Sequence, residues 1–178
     1  MKIDRHPYKD RKYGVVPYDP AWPERFEEYA AKIRGIFKGV RIEHIGSTSV
    51  VGMSGKPCID VLVMVDDLQA VDAHVAEMEQ AGFEYAGEFV MANSRLFRVM
   101  QDTTQLANIH FFPVGHPHND AMLSLRDYLR AHPEEVSAYT AIKKELCVKY
   151  PDDYAMYRKY KDEYMEEMKK RVLRPERG

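Results

Sequence analysis

Apolar residues recur along the chain with two different periods, and these periods predict where helices and strands lie. Over residues 26–37 the apolar positions are three or four residues apart, which is typical of one face of an amphipathic helix. Residues 40–45 alternate apolar with polar residues, as a half-buried strand does. Residues 58–65 form a β-rich apolar run whose single charge is Asp60. That run predicts a central strand covered on both faces.

The rest of the chain divides into a strand-rich and a helical part. The apolar spacing predicts one helix from Leu68 to its end at Gly82, followed by short strands near residues 83–85, 95–100 and 109–113. Further helices are predicted at residues 121–132, 134–150 and 154–172, with prolines between them. We therefore predict an α+β fold in a single domain, residues 1–178, with a lead-in (1–14), a mixed-sheet half (15–115) and a helical half (116–178).

Charge and cysteine usage exclude several classes of protein. The 178 residues carry 26 basic and 28 acidic side chains, a formal net charge of −2, so a nucleic acid is not the expected partner. Two cysteines without a CxxC pair exclude a disulfide scaffold and a structural zinc finger. The first residues contain no apolar signal region, and the longest apolar run is too short to cross a bilayer. We expect a cytoplasmic protein with no membrane partner.

Candidate chemistry begins where the strand of residues 40–45 ends. Gly46 has no Cβ to obstruct an anion, and Ser47 and Thr48 add hydroxyl donors beside backbone N–H groups. An ordinary turn would have the same sequence. Asp60 follows in the apolar strand, where an isolated carboxylate is costly unless it is paired, hydrogen-bonded or bound to metal. A structural aspartate held by Lys56 or a histidine is the alternative.

Three common phosphate or nucleophile motifs are absent. Residues 52–56 (GMSGK) have some likeness to a P-loop, but Val50 stands where its first glycine belongs and Pro57 where Ser or Thr belongs. The chain also has no GxGxxG dinucleotide turn and no GxSxG elbow.

The spacing from the Gly-Ser turn to Asp60 resembles the nucleotidyltransferase superfamily signature, hG[GS] followed by Dh[DE]h. Residues 15–34, 41–65 and 125–146 closely resemble the GrpB-like family, and the likeness extends from about Val15 to about Lys170. The resemblance implies a nucleotidyltransferase-like mixed sheet flanked by helices, with a helical C-terminal part. In active members of the superfamily, paired carboxylates hold a divalent metal that bridges a nucleoside triphosphate, and the Gly-Ser turn holds its terminal phosphates.

The chain departs from that signature at the second carboxylate, where Leu62 stands. On the later strand the inward candidate is His110. We therefore assign Asp60 and His110 as the candidate catalytic residues and metal ligands, with Mg²⁺ or Mn²⁺ as the candidate ion. One carboxylate and one imidazole are a poor donor set for two Mg²⁺ ions, so ordinary two-metal transfer is not expected.

The remaining site candidates are cations in the matched motifs. Lys56 would neutralise phosphate, and Arg126 and Lys143 are further candidate ligands, although solvated surface positions are the alternative. Tyr139 and Lys143 are four residues apart and would face the same way on a helix.

The function predicted from the sequence is binding of a nucleotide or another small phosphate-bearing ligand. Nucleotidyl or phosphoryl transfer to a small molecule could follow binding. The alternative is a non-catalytic nucleotide-binding, helper or interaction module on the same fold, and the sequence does not decide whether the protein is an enzyme.

Overall fold

The computed structural model describes residues 14–89 and 91–173, which form a five-stranded sheet, six helices and one 3₁₀ turn. The α+β prediction is confirmed, and most of the predicted lead-in lies outside the described residues. The elements are α1 (Trp22–Ile36), β1 (Arg41–Ile45), the 3₁₀ turn (Ser47–Ser49), β2 (Ile59–Val65), α2 (Leu68–Ala73), α3 (Val75–Gln80), β3 (Glu84–Gly87), β4 (Arg95–Gln101), β5 (Thr104–Pro113), α4 (Pro117–Ala131), α5 (Pro133–Lys149) and α6 (Tyr154–Val172).

The sheet has the strand order β1-β2-β5-β4-β3 and is mixed, because β2 and β5 run parallel while the other neighbours are antiparallel. Strand β2 pairs on both sides, as its apolar run predicts. The register places Asp60 beside Ile45 of β1 and beside Asn108 of β5. A carboxylate is thereby held in the middle of three paired strands.

Helices cover the two faces of the sheet differently. The face that carries Val61 and Val63 packs against α1, α2 and α3 and forms the main hydrophobic core. The opposite face carries Asp60, Leu62 and Met64, because strand side chains alternate. There the apolar residues Ile45, Leu62, Met64 and Phe112 are packed by Met122 and Leu123 of α4.

Two elements differ from the sequence-based prediction. The helix predicted from Leu68 to Gly82 is two short helices, because His74 leaves helical geometry at φ −107° and ψ 16° and its ring packs on Phe37. Strand β5 begins at Thr104, well before the strand predicted at residues 109–113. Its polar first half pairs with β4 across a tight turn at Asp102, a long-range pairing that local patterning does not reveal.

The segment that follows β1 is held between the sheet and the helical half. Val50 and Met53 are fully buried, and they form a cluster with one residue or more from each of the three C-terminal helices: Leu125, Leu129, Val136, Tyr139 and Met168. The position of the turn after β1 therefore depends on the packing of the helices. No helix among the described residues is long and apolar enough to span a membrane.

Replacing Met53 tests this packing. Met53 is 0 % exposed, so we expect Met53→Ala to lower the free energy of unfolding by about 2–5 kcal/mol through the cavity it leaves. Its neighbour Val51 is 77 % exposed, and Val51→Ala should change stability by no more than about 0.5 kcal/mol. Urea denaturation of both variants measures the difference, and equal stabilities would show that the segment is not anchored by Met53.

Candidate functional site

The turn after β1, residues 46–49, brings the backbone of Gly46 against the carboxylate of Asp60. Gly46 has φ 73°, a conformation that residues with a side chain rarely adopt. A Cβ at this position would lie 2.5 Å from Oδ2 of Asp60, so no side chain fits there. The Ser49 hydroxyl donates to the Gly46 carbonyl at 2.6 Å and closes the turn. The turn and Asp60, which the sequence places in separate elements, thus form one surface.

Asp60 is held on one side by two residues of β5. Asn108 Nδ2 donates to Asp60 Oδ1 at 2.8 Å, and His110 Nε2 lies 3.6 Å from the same oxygen. Burial raises the pKa of the Asp60 carboxyl, but the His110 ring, the Asn108 amide and the Lys56 charge together outweigh it and hold the pKa below its usual range. The side chain is 30 % exposed, so Asp60 is a carboxylate that a ligand could reach.

Lys143 of α5 reaches the turn from the helical half. Its ammonium donates to the Ser47 hydroxyl at 3.0 Å and to the carbonyl of Ser54, and it lies 4.5 Å from the centre of the Tyr139 ring. The residue is 2 % exposed. Burial, with a contribution from the positive charge of Lys161, lowers the pKa of Lys143 to about 7. Ser47 and Lys143 lie far apart in the sequence, and the fold brings them into direct contact.

Thr48 faces the interior. Its Oγ1 lies 2.9 Å from Nε2 of His44, which stacks on Phe26 at 4.6 Å between ring centres. Burial lowers the pKa of His44 to about 4, so the imidazole is neutral at pH 7. Sequence reasoning made the Thr48 hydroxyl a candidate phosphate ligand. In the structure this hydroxyl contacts the buried His44 ring and holds the turn against β1.

Lys56 and Arg126 are engaged elsewhere in the protein. Lys56 Nζ donates to the Tyr154 hydroxyl at 2.7 Å, although its charge still acts on Asp60. Arg126 is 9 % exposed and donates to the carboxylate of Glu43 at 2.6 Å and to the carbonyl of His44 at 3.1 Å. Arg126 thus ties α4 to β1, and the structure does not bring it into contact with Ser47.

Leu62, which stands where the superfamily signature has its second carboxylate, lies in apolar surroundings. Leu62 is 0 % exposed and packs with Ile45, Met64 and Phe112. Within residues 14–89 and 91–173, no group of three or more His, Cys, Asp or Glu side chains could hold a metal ion. The donors near Asp60 do not fit a two-metal centre; a single ion would need further ligands from outside the protein.

Sequence reasoning predicted His110 near Asp60 but overlooked two other polar residues of this face, Asn108 of β5 and Arg98 of β4. Asn108 accepts from the Gln105 amide through its own Oδ1 while it donates to Asp60. Arg98 of β4 lies beside Asn108 in the register. The alternation of Asn108 and His110 could have indicated two inward residues on β5, whereas the place of Arg98 depends on a pairing between distant strands.

The buried ammonium makes the stability of the fold depend on pH. The pKa of Lys143 is about 7 in the folded chain and 10.5 ordinarily, so between these values the unfolded chain binds the extra proton. The free energy of unfolding should therefore rise with pH above 7, by up to about 1.4 kcal/mol per pH unit.

Denaturant titrations at pH 7, 8 and 9 measure this slope. Lys143→Met should lose this contribution, while Lys144→Met, a change at an exposed neighbour, should keep it. The same slope in wild type and Lys143→Met would contradict the burial of a titrating ammonium.

Comparison with known proteins gives the family and the fold. The family model described as "GrpB protein" matches residues 12–171. The chain is 33 % identical over 175 residues to UPF0157 protein YqkA of Bacillus subtilis (strain 168). The aligned region covers 97 % of this chain but 51 % of the relative. The chain therefore spans about half the length of that relative.

Two solved structures agree with the fold. The crystal structure of conserved protein GrpB from Enterococcus faecalis matches with a TM-score of 0.84 and 35 % identity, over 90 % of this chain and 97 % of that one. Cid1 poly(U) polymerase with Mg 3′-dATP bound matches with a TM-score of 0.55 and 13 % identity, over 85 % of this chain and 49 % of that one. The second likeness shows the fold alone and confirms the nucleotidyltransferase-like sheet. On the extent of the family match and the structure it shares, this chain belongs to the GrpB family.

Proposed function

We propose that this chain binds a nucleotide through its phosphates at Gly46 and Ser47, with the charge of Lys143 acting from behind Ser47. The observation that carries the proposal is the enclosed ammonium of Lys143, which contacts the Ser47 hydroxyl and has no carboxylate of the described residues among the charges that act on it. A buried cation is costly unless it is paired, and an arriving phosphate would supply the missing negative charge.

The turn offers donors on the same side as Lys143. Ser47 Oγ accepts from the lysine, so its own O–H proton stays available for a phosphate oxygen. The left-handed conformation of Gly46 and the lack of a Cβ allow a close approach of the backbone to an anion. The same type of sheet occurs in Cid1 poly(U) polymerase with Mg 3′-dATP bound, which supports a nucleotide rather than another phosphate ester.

Asp60 would repel a bare phosphate, because its lowered pKa keeps it anionic at neutral pH. A divalent cation between the two removes this repulsion. Mg²⁺ is commonly bound by one or two carboxylates together with substrate phosphates, and Mn²⁺ accepts the same oxygen ligands. We therefore propose that Mg²⁺ or Mn²⁺ enters with the nucleotide and that Asp60 is its carboxylate ligand, with His110 beside it.

Two functions remain for the bound nucleotide, and each rests on a different residue. The ionised, accessible Asp60 favours nucleotidyl or phosphoryl transfer to a small molecule. The complete burial of Leu62 among apolar residues favours a non-catalytic nucleotide-binding module. The two functions are separated by measuring whether pyrophosphate or phosphate is released from a bound triphosphate when candidate hydroxyl acceptors are present. Release indicates transfer, and binding without release indicates the non-catalytic module.

Proton uptake on binding tests the role of Lys143. At pH 8 this lysine is mostly neutral in the folded chain, and an adjacent phosphate raises its pKa, so nucleotide binding should take up about one proton. Isothermal titration of ATP, UTP, GTP and CTP in two buffers of different ionisation enthalpy measures that uptake.

The matched variants separate Lys143 from its neighbour. Lys143→Met should bind nucleotide about tenfold more weakly or worse, because the positive charge that attracts the phosphate at Ser47 is lost, and should take up no proton. Lys144→Met, at an exposed position on the same helix, should behave as wild type. Equal affinity and equal uptake in Lys143→Met and wild type would exclude this phosphate site.

The dependence of binding on metal tests the role of Asp60. Wild type should bind the triphosphate more tightly with Mg²⁺ or Mn²⁺ than with a chelator, whereas Asp60→Asn should bind equally well in both conditions because the repulsion and the ligand disappear together. Asp66→Asn, an exposed change just after β2, is the control and should keep the metal dependence. A metal effect that survives in Asp60→Asn would place the ion elsewhere.

A further inference from the structure

A row of polar side chains crosses the sheet from Asp60 to its far edge. The register pairs Asp60 of β2 with Asn108 of β5, Asn108 with Arg98 of β4, and Arg98 with Glu84 of β3. Register partners point to the same face, so these four residues, here called the polar row, lie side by side on the face that carries the candidate site. Two side-chain contacts lie within the row: Asn108 donates to Asp60 at 2.8 Å, and Arg98 pairs with Glu84.

The polar row is partly exposed to solvent. The packing of Met122 and Leu123 covers the apolar residues Leu62, Met64 and Phe112 of this face, which lie further along β2 and β5. In the row itself, the side chain of Asp60 is 30 % exposed and that of Arg98 is 18 % exposed. A small molecule at the exposed part of the row would contact Asp60.

Arg98 has hydrogen-bonding capacity that its protein contacts do not use. Its Nη2 donates to Glu84, but its buried Nε has no acceptor among the described residues. Arg95 on the same strand faces the other side of the sheet and gives the contrast, because its guanidinium makes two bonds to Asp72 at 2.6 and 2.7 Å. The remaining N–H groups of this guanidinium, on Nη1 and Nη2, are suited to a carboxylate or a phosphate group.

The row and the phosphate site lie on opposite sides of one carboxylate. Oδ2 of Asp60 faces Gly46, whereas Oδ1 faces Asn108 and His110. Arg98 is two strands away from Asp60, about 10 Å between backbones at ordinary strand spacing. A compound bound between them would meet the nucleotide at Asp60.

We propose that the polar row is a second ligand subsite, which binds a small hydroxyl compound with an anionic group. Arg98 holds the carboxylate or phosphate of that compound, and Asn108 and His110 contact its hydroxyl groups next to Asp60. The assignment of this compound as the partner of the nucleotide rests on the proposed function. Binding to Arg98 does not depend on it, because Lys143 and Ser47 lie on the other side of Asp60.

Protein NMR with defined probes tests the subsite directly. Glycerate, glycerol 3-phosphate and neutral glycerol are titrated into the full chain, and the side-chain signals of Arg98 Nε–H, Asn108 and Gln105 are followed. We expect the carboxylate probe, the phosphate probe or both to shift these signals, which identifies the anion, while glycerol leaves them unchanged.

Three variants separate a ligand site from a structural ion pair. Arg98→Met should weaken probe binding, read from the Asn108 and Gln105 signals, about tenfold or more. Arg95→Met is the control on the same strand and should leave the probe affinity as in wild type. Glu84→Gln removes the competing carboxylate and should tighten probe binding.

The outcomes also separate this proposal from the nucleotide site. Arg98→Met should retain the nucleotide affinity of wild type, so loss of the probe alone supports the subsite even if no nucleotide binds. Probe shifts confined to Ser47 and Lys143, or equal probe affinity in Arg98→Met and wild type, would overturn it. Absence of any shift with both anionic probes at tens of millimolar would also overturn it.

Discussion

The contact between Lys143 and Ser47 connects the two halves of this chain at the candidate phosphate site. The lysine belongs to the helical half and the serine to the turn that leaves the sheet, and the carbonyl of Ser54 completes the contact. Gly55 lies against it so closely that a Cβ there would come within 2.7 Å of the Ser47 side chain. Packing of the helices at this point buries the ammonium of Lys143. The loss of its hydration disfavours the charged form and lowers the pKa of the lysine.

Asp60 illustrates how a strand can carry a partly exposed carboxylate and still pair on both sides within the sheet. Its neighbours along the strand are apolar, but its neighbours across the strands supply an amide, an imidazole and the open backbone of a glycine. The same face turns apolar at Leu62, where Met122 and Leu123 of α4 add to the cluster. The change from polar to apolar along a single face separates the accessible site from the packing surface of the helical half.

Much of the fold and part of the site could be predicted from the sequence. The alternation of residues 40–45, the apolar run of β2 and the periodic helices of the last third all correspond to observed elements, because each is a local pattern with its own period. The contact of Tyr139 with Lys143 follows from helical spacing. The start of β5, the break at His74 and the engagement of Arg126 with Glu43 could not be predicted, since each depends on a partner distant in sequence.

The sequence by itself determined the kinds of residue at the candidate site: a glycine at the end of a strand, a lone carboxylate in an apolar strand and a leucine where a second carboxylate would stand. Only the tertiary structure decided how these residues are used. Strand register placed Asn108 and Arg98 in line with Asp60, and helix packing turned Thr48 inward while it brought Lys143 to Ser47. The reason is physical: backbone conformation and periodicity are local properties, whereas burial and the distances between charges arise from the packing of elements far apart in the chain.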